Sequence, residues 1–134
     1  MVILLQGGSR IGRAAIAGKI VKDRKQWRHL SIEDVQAAAF FGSLDWDDSA
    51  DVLFTLACAC AHEMLKEKYH ILVSCEDAPE IIRIFREEFP KRALAARLQS
   101  NDIPTESMGF DIAFNGKKSS AQQVAEEILR AMKA

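Results

Sequence analysis

The residues with the clearest chemistry form one short run, Gly7-Gly8-Ser9-Arg10-Ile11-Gly12-Arg13-Ala14. Gly7 and Gly12 are spaced as in the phosphate-loop pattern G-x-x-x-x-G-K-[ST], where glycines let successive backbone N–H groups curl around an anion. A helix that follows such a loop adds partial positive charge at its first turn. Two of the four fixed positions are altered. Arg13 stands where a lysine normally reaches the terminal phosphates, so the charge is kept but a planar fork replaces a compact ammonium. Ala14 stands where a hydroxyl normally ligates magnesium, and a methyl group cannot do this. The cofactor-binding candidates are therefore Gly7, Gly8, Ser9, Arg10, Ile11, Gly12, Arg13 and Ala14, with phosphate as the ligand. The sequence leaves open a second reading, a tight strand-to-helix turn with no ligand.

Glu33 and Asp34 are the candidate catalytic pair, because a carboxylate can orient an acceptor hydroxyl and take its proton as a phosphoryl group moves. Acids in a first helical turn are also favoured by the macrodipole, so capping is the competing account. Other clusters carry less. His62-Glu63 opens like H-E-x-x-H, but Lys66 holds the second histidine position, and the pair Cys58 and His62 on one helix makes no metal site. Asp45, Asp47, Asp48 and Asp51 lack the glycine and terminal glutamate of a calcium loop and read as a helix-capping acidic stretch. Trp46 within it suits either base stacking or a core edge. No metal-binding residues are assigned.

These residues need a scaffold of alternating strands and helices. Val2 to Leu5 and Ile71 to Val73 are continuous apolar runs of the kind buried on both faces of a parallel sheet. Trp27 to Leu30 and Phe110 to Phe114 predict two further strands. Arg92 to Leu98 completes a set of five, on the ground that the alternation needs a strand there. Between them, Ile16, Ile20 and Val21 recur at helical spacing from Gly12 to about Lys25. Ser31 and Asp34 resemble a capping box for a helix carrying Val35 and Phe40, which Gly42 stops. Asp48 or Ser49 caps a long helix to about Lys68, Pro79 suits the first turn of the next, and Ser119 or Ser120 caps the last. The order implies right-handed crossovers, hence a three-layer α/β/α domain with a mostly parallel five-stranded sheet, over residues 1–134. Ligands in such sheets bind beyond the carboxyl ends of the strands.

Composition bounds the rest. At 134 residues, 49% hydrophobic and 28% charged, the chain can bury a core without staples. A net charge of −1 recruits neither nucleic acid nor an anionic membrane. Cys58, Cys60 and Cys75 are odd in number and sit in apolar stretches, which fits a reducing cytoplasm. Met1 to Leu5 is too short for a signal-peptide core, and no stretch approaches the roughly 20 apolar residues of a membrane span.

With these residues in view, the chain resembles the small P-loop kinases, especially the adenylylsulfate-kinase-like and related predicted-kinase group. The resemblance rests on the Walker A-like loop, on His29-Leu30-Ser31-Ile32-Glu33-Asp34-Val35, on Ile71-Leu72-Val73-Ser74-Cys75 followed by Glu76-Asp77, and on Phe110 to Asn115 with the tail helix. It implies a P-loop NTPase fold of the nucleotide-kinase type, ATP as ligand, and a small-molecule acceptor. Glu33 takes the place of the principal acid, with Asp34 beside it. The family's Walker B acid closes its apolar run, whereas here Ser74 and Cys75 precede Glu76 and Asp77. An arginine-bearing lid is also usual, yet Gln99 to Gly109 contains neither Arg nor Lys. Mg2+ loses a ligand at Ala14. Two functions are consistent with this: a nucleotide- or phosphate-binding kinase-like protein whose phosphoryl transfer is weak or lost, and a pseudo-kinase kept as a binding or assembly module.

Overall fold

The computed structural model describes residues 1–22, 24–40, 46–78, 80–99 and 109–133, with the side chains of 38–40 and 46–48 left aside. The elements follow as β1 (Val2–Gln6), α1 (Arg10–Val21), β2 (Trp27–Ser31), α2 (Ile32–Phe40), α3 (Trp46–Lys66), β3 (His70–Cys75), α4 (Ile81–Glu88), β4 (Ala93–Gln99), β5 (Ile112–Asn115) and α5 (Ala121–Met132). The helix stop at Gly42, the acid Asp45, the Pro79 turn, the side chains of Trp46, Asp47 and Asp48, and residues 100–108 of the segment compared with a lid lie outside the described residues.

The five strands form one sheet in the order β2-β3-β1-β4-β5, and every pair is parallel. The strand alternation divides the core in two, as a doubly covered sheet requires. Val2, Leu4, Ile71, Val73 and Ala95 pack beneath α3 and α4 with Leu53, Phe54, Ala57, Ile81 and Phe85. Ile3, Leu5, Leu72, Leu94 and Leu98 pack beneath α1 and α5 with Ile16, Ile20, Val124 and Ile128. Arg92 to Leu98 thus pairs as a strand because Ala95 and Ala96 are small enough for both faces to close over it.

The chain leaves β1 toward the face covered by α1 and leaves β3 toward the face covered by α4, so the crevice beyond the carboxyl ends of these neighbouring strands is a topological switch point. Some boundaries differ from the sequence reading. Helix α1 begins at Arg10, before Gly12, because the Ser9 side chain caps it. It ends at Val21. Ser49, named as a cap, sits inside α3 with non-helical angles of φ −134° and ψ 16°. In α5, Ser120 and Gln123 form a reciprocal capping box.

Candidate functional site

The loop after β1 is shorter and tighter than its sequence spacing implies. Gly7 and Gly8 hold φ of +90° and +67°, and Ser9 closes the turn by accepting the Gly12 N–H at 2.9 Å through Oγ. The glycines are required twice over, by backbone angle and by space. A Cβ on Gly7 would lie 2.5 Å from the Leu98 carbonyl oxygen, and one on Gly8 would lie 2.5 Å from Leu98 Cδ2. Behind the loop, buried Gln6 donates through Nε2 to the carbonyls of Glu76 and Ala78, each at 3.2 Å. This ties the end of β1 to the β3–α4 connection.

Not all loop amides remain for a ligand. The Gly7 N–H donates to the Cys75 carbonyl at 3.1 Å, and the Arg13 N–H donates to the Ser9 carbonyl at 3.0 Å. With Gly12 turned to Ser9, the remaining main-chain donors are those of Gly8, Ser9, Arg10 and Ile11, all exposed residues. Arg10 and Ile11 open α1, so their N–H groups lack a carbonyl one turn earlier in the helix. Among the described residues these four are the loop donors without a main-chain partner.

The candidate cation and the candidate acid have found each other. Arg13 is 1% exposed and runs beneath the loop, donating through Nη1 to the carbonyls of Gly7 at 3.1 Å and Gly8 at 2.9 Å. Its Nη2 pairs with Glu33 Oε1. The other Glu33 oxygen accepts from the Ser31 hydroxyl at 2.9 Å. Burial pushes the Glu33 carboxyl up, but its own backbone N–H, the Ser31 hydroxyl and Arg13 together hold it below the usual carboxylate range. The Arg13 Nε is buried and has no hydrogen-bond partner among the described residues.

A second arginine–acid pair repeats the connection at the surface, with Arg10 Nη2 3.2 Å from Asp34 Oδ1. Two rungs therefore join the start of α1 to the start of α2. Beside them His29 Nε2 lies 2.6 Å from the buried Ser74 hydroxyl, in the same row of the sheet end where Ser31 faces Ser74. Burial holds the His29 imidazole below its ordinary pKa, with Arg13 acting the same way against Asp34 and Glu33. A cavity of about 10 Å³ between Ile32, Glu33, Gln36 and Glu76 has room for one water at most.

Ala14 is exposed and presents only a methyl group, and the Glu33 carboxylate is committed to Arg13 and Ser31, so the residues here do not fit a magnesium ion in the usual P-loop manner. Among the described residues no group of three or more His, Cys, Asp or Glu side chains is placed to hold a metal. Cys58 is buried, with its thiol pushed up to about 12 by burial and Glu88. His62 bonds Glu88 at 2.9 Å and stacks on Phe89.

One further residue stands at the site, Arg97, which the sequence offers with Arg92 either as a substitute for a lid arginine or as a solvated surface charge. Arg97, near the end of β4, is opposite Gln6 and reaches Asp77 Oδ2 at 3.0 Å, while Asp77 lies close to where a Gly7 side chain would be. Its only sequence signal was a charge inside an apolar strand. The pairing itself depends on β4 lying next to β1.

No family model matches the chain, and no curated protein matches it by sequence. Solved structures do match in three dimensions. The hexameric APS kinase from Thiobacillus denitrificans aligns with a TM-score of 0.72 at 11% identity, over 98% of this chain and 28% of that one. The Deinococcus radiodurans tunicamycin resistance protein aligns with a TM-score of 0.71 at 12% identity, over 98% and 95% of the two chains. Shikimate kinase from Aquifex aeolicus aligns with a TM-score of 0.60 at 13% identity, over 99% and 96%. At these identities the likeness is one of architecture, and the architecture, a parallel five-stranded sheet with helices on both faces, is that of the P-loop kinases.

Proposed function

We propose that this chain, as a single domain over residues 1–134, is a nucleotide- or phosphate-binding P-loop kinase-like protein in which phosphoryl transfer to a small molecule is weak or lost. The observation that carries the reading is the group of exposed main-chain donors from Gly8 to Ile11, at a helix start beyond the carboxyl end of β1. ATP phosphates are the favoured ligand on the strength of the fold and the glycine loop, with Arg10 as the side-chain cation at the mouth.

Four features of the residues support weak transfer. Arg13 is spent on Gly7, Gly8 and Glu33, so it is not aimed at a terminal phosphate. Glu33 carries a committed carboxylate, leaving Asp34 as the acid nearer solvent. Ala14 supplies no oxygen for Mg2+, and Gln99 to Gly109 supplies no lid cation in its sequence. A non-catalytic pseudo-kinase, serving as a binding or assembly module, is the second reading, favoured by the same Arg13–Glu33 pair.

The test is ATP titration, with and without Mg2+, followed by amide NMR at Gly8 to Ile11. Saturable shifts confined to the loop are expected, and unchanged amides up to millimolar nucleotide would defeat the binding proposal. The Arg13→Lys/Ala14→Ser double variant then separates the two readings. Gain of ATP hydrolysis or transfer favours a damaged kinase, and binding without gain favours the module.

A further inference from the structure

The other end of the sheet carries a second, unassigned feature. At the amino edge of β1, β3 and β4 lies a groove of about 360 Å³, floored by Leu65, Tyr69 and Phe89 and walled by Lys68, Lys91 and Arg92, with His70 at its side. Local sequence explains how it forms. Helix α3 ends in a left-handed reversal at Lys68, φ +66°, closed by Tyr69 N–H to Met64 O at 3.3 Å and Lys68 N–H to Leu65 O at 3.0 Å. After α4, Pro90 and Lys91 lead to Arg92, also left-handed at φ +54°, whose carbonyl accepts from Val2 N–H at 2.9 Å. The sheet then brings the two reversals together, because Ile71 and Ala93 both pair with Val2.

Cations line two pockets of the protein: Lys19, Lys22 and Arg24 stand around a polar one beside Gln122, whereas Lys68, Lys91 and Arg92 stand around this groove, which has an apolar floor. Arg10, Arg13, Lys66, Arg83, Arg86, Arg97 and Arg130 each sit against a carboxylate. Among the described residues, Lys68, Lys91 and Arg92 form no ion pair, and no carboxylate lines the groove. Basic residues beyond helix carboxyl ends gain from the macrodipole, which accounts for their presence singly. It does not account for three of them around one apolar floor. Their neighbour His70, whose Nδ1 lies 3.2 Å from the terminal amine, is held below its ordinary pKa first by burial and then by that amine and Arg92. The two positive neighbours are the smaller causes, and they are the part that an external anion offsets.

We propose that this groove binds a small organic anion with a flat apolar body, its charged head between Lys68, Lys91 and Arg92 and its ring against Leu65, Tyr69 and Phe89. The volume lies within the roughly 300–1,000 Å³ of small-molecule sites. The site is independent of the loop beyond β1, at the opposite ends of the same strands.

The test is amide and histidine NMR of the whole chain titrated with phenyl phosphate, with inorganic phosphate and benzyl alcohol in parallel. Phenyl phosphate should give saturable shifts at Lys68, His70 and Arg92 and raise the His70 pKa toward its ordinary value. Lys68→Asn and Arg92→Asn tolerate the left-handed backbone while removing charge, and each should weaken binding by about tenfold. Lys91→Gln, outside the left-handed positions, gives the same reading should either of those variants fail to fold. The proposal is overturned by shifts confined to Gly8–Ile11, by equal effects of inorganic phosphate or benzyl alcohol at the groove, by unweakened binding in the variants, or by groove shifts that track self-association of the protein.

Discussion

The two ends of the sheet treat positive charge in opposite ways. Beyond the carboxyl edge, Arg10 and Arg13 are each answered by an acid from α2, and the deeper pair is sealed beneath the loop. At the amino edge, Lys68, Lys91 and Arg92 surround an apolar floor with no described carboxylate among them. The lesson is that charge type in a sequence does not mark a ligand site. A cation that the fold has neutralised and buried, as it has Arg13, is architecture, whereas cations left facing one another are available for an anion.

The comparison can be broken most forcefully at Arg13 and Glu33. Removing one partner of a buried ion pair leaves the other charge uncompensated, so Glu33→Ala should lose about 3 kcal/mol in denaturant unfolding. The Arg13→Met/Glu33→Leu double variant should recover most of that loss, because apolar replacements of both partners are often tolerated. A double variant no more stable than Glu33→Ala would show that the pair's worth lies elsewhere. Gly7→Ala comes next, at about 2 kcal/mol, since it combines a left-handed backbone with a Cβ pressed on the Leu98 carbonyl.

A pH profile gives a gentler perturbation of the same edge. Glu33 has a depressed folded-state pKa, so its contribution is full above the ordinary carboxylate value and disappears as pH falls through the depressed one. His29 also has a lowered pKa, so folding favours its neutral form, and that stability is present above the ordinary imidazole value and lost as pH falls through the lowered one. Unfolding midpoints of Glu33→Gln and His29→Gln against pH should each flatten the matching acid limb. A limb unchanged by its variant would detach that residue from acid stability. The surface rung is smaller again: Asp34→Ala should cost less than about 1 kcal/mol, read by the same unfolding curves. Smallest is Lys91→Gln, within about 0.5 kcal/mol of the parent, because it breaks no ion pair. A loss there as large as at Glu33 would erase the contrast between the edges.

Much of the frame was legible in the residues. Val2 to Leu5 and Ile71 to Val73 announced buried parallel strands through unbroken apolar runs, and the alternation with amphipathic helices then required a strand near Arg92 to Leu98. The loop was visible through its two glycines, though its helix begins at Arg10 because the Ser9 hydroxyl could satisfy the Gly12 amide first. Three-residue spacing could place Ser9 and Gly12 within reach. It could not say that the arc available to an anion would shrink to Gly8 through Ile11.

The amino-acid order by itself determined the layer architecture, since periodic burial and local capping act over a few residues and need no distant partner. Only the tertiary structure decided what the charged groups do. Parallel register carried Glu33 to Arg13, Arg97 to Asp77, and Lys68 toward Arg92 across long stretches of chain. Between exposed side chains, electrostatics is largely screened beyond about 10 Å in dilute salt, so a charge takes its role from neighbours the fold supplies, not from its position in the chain.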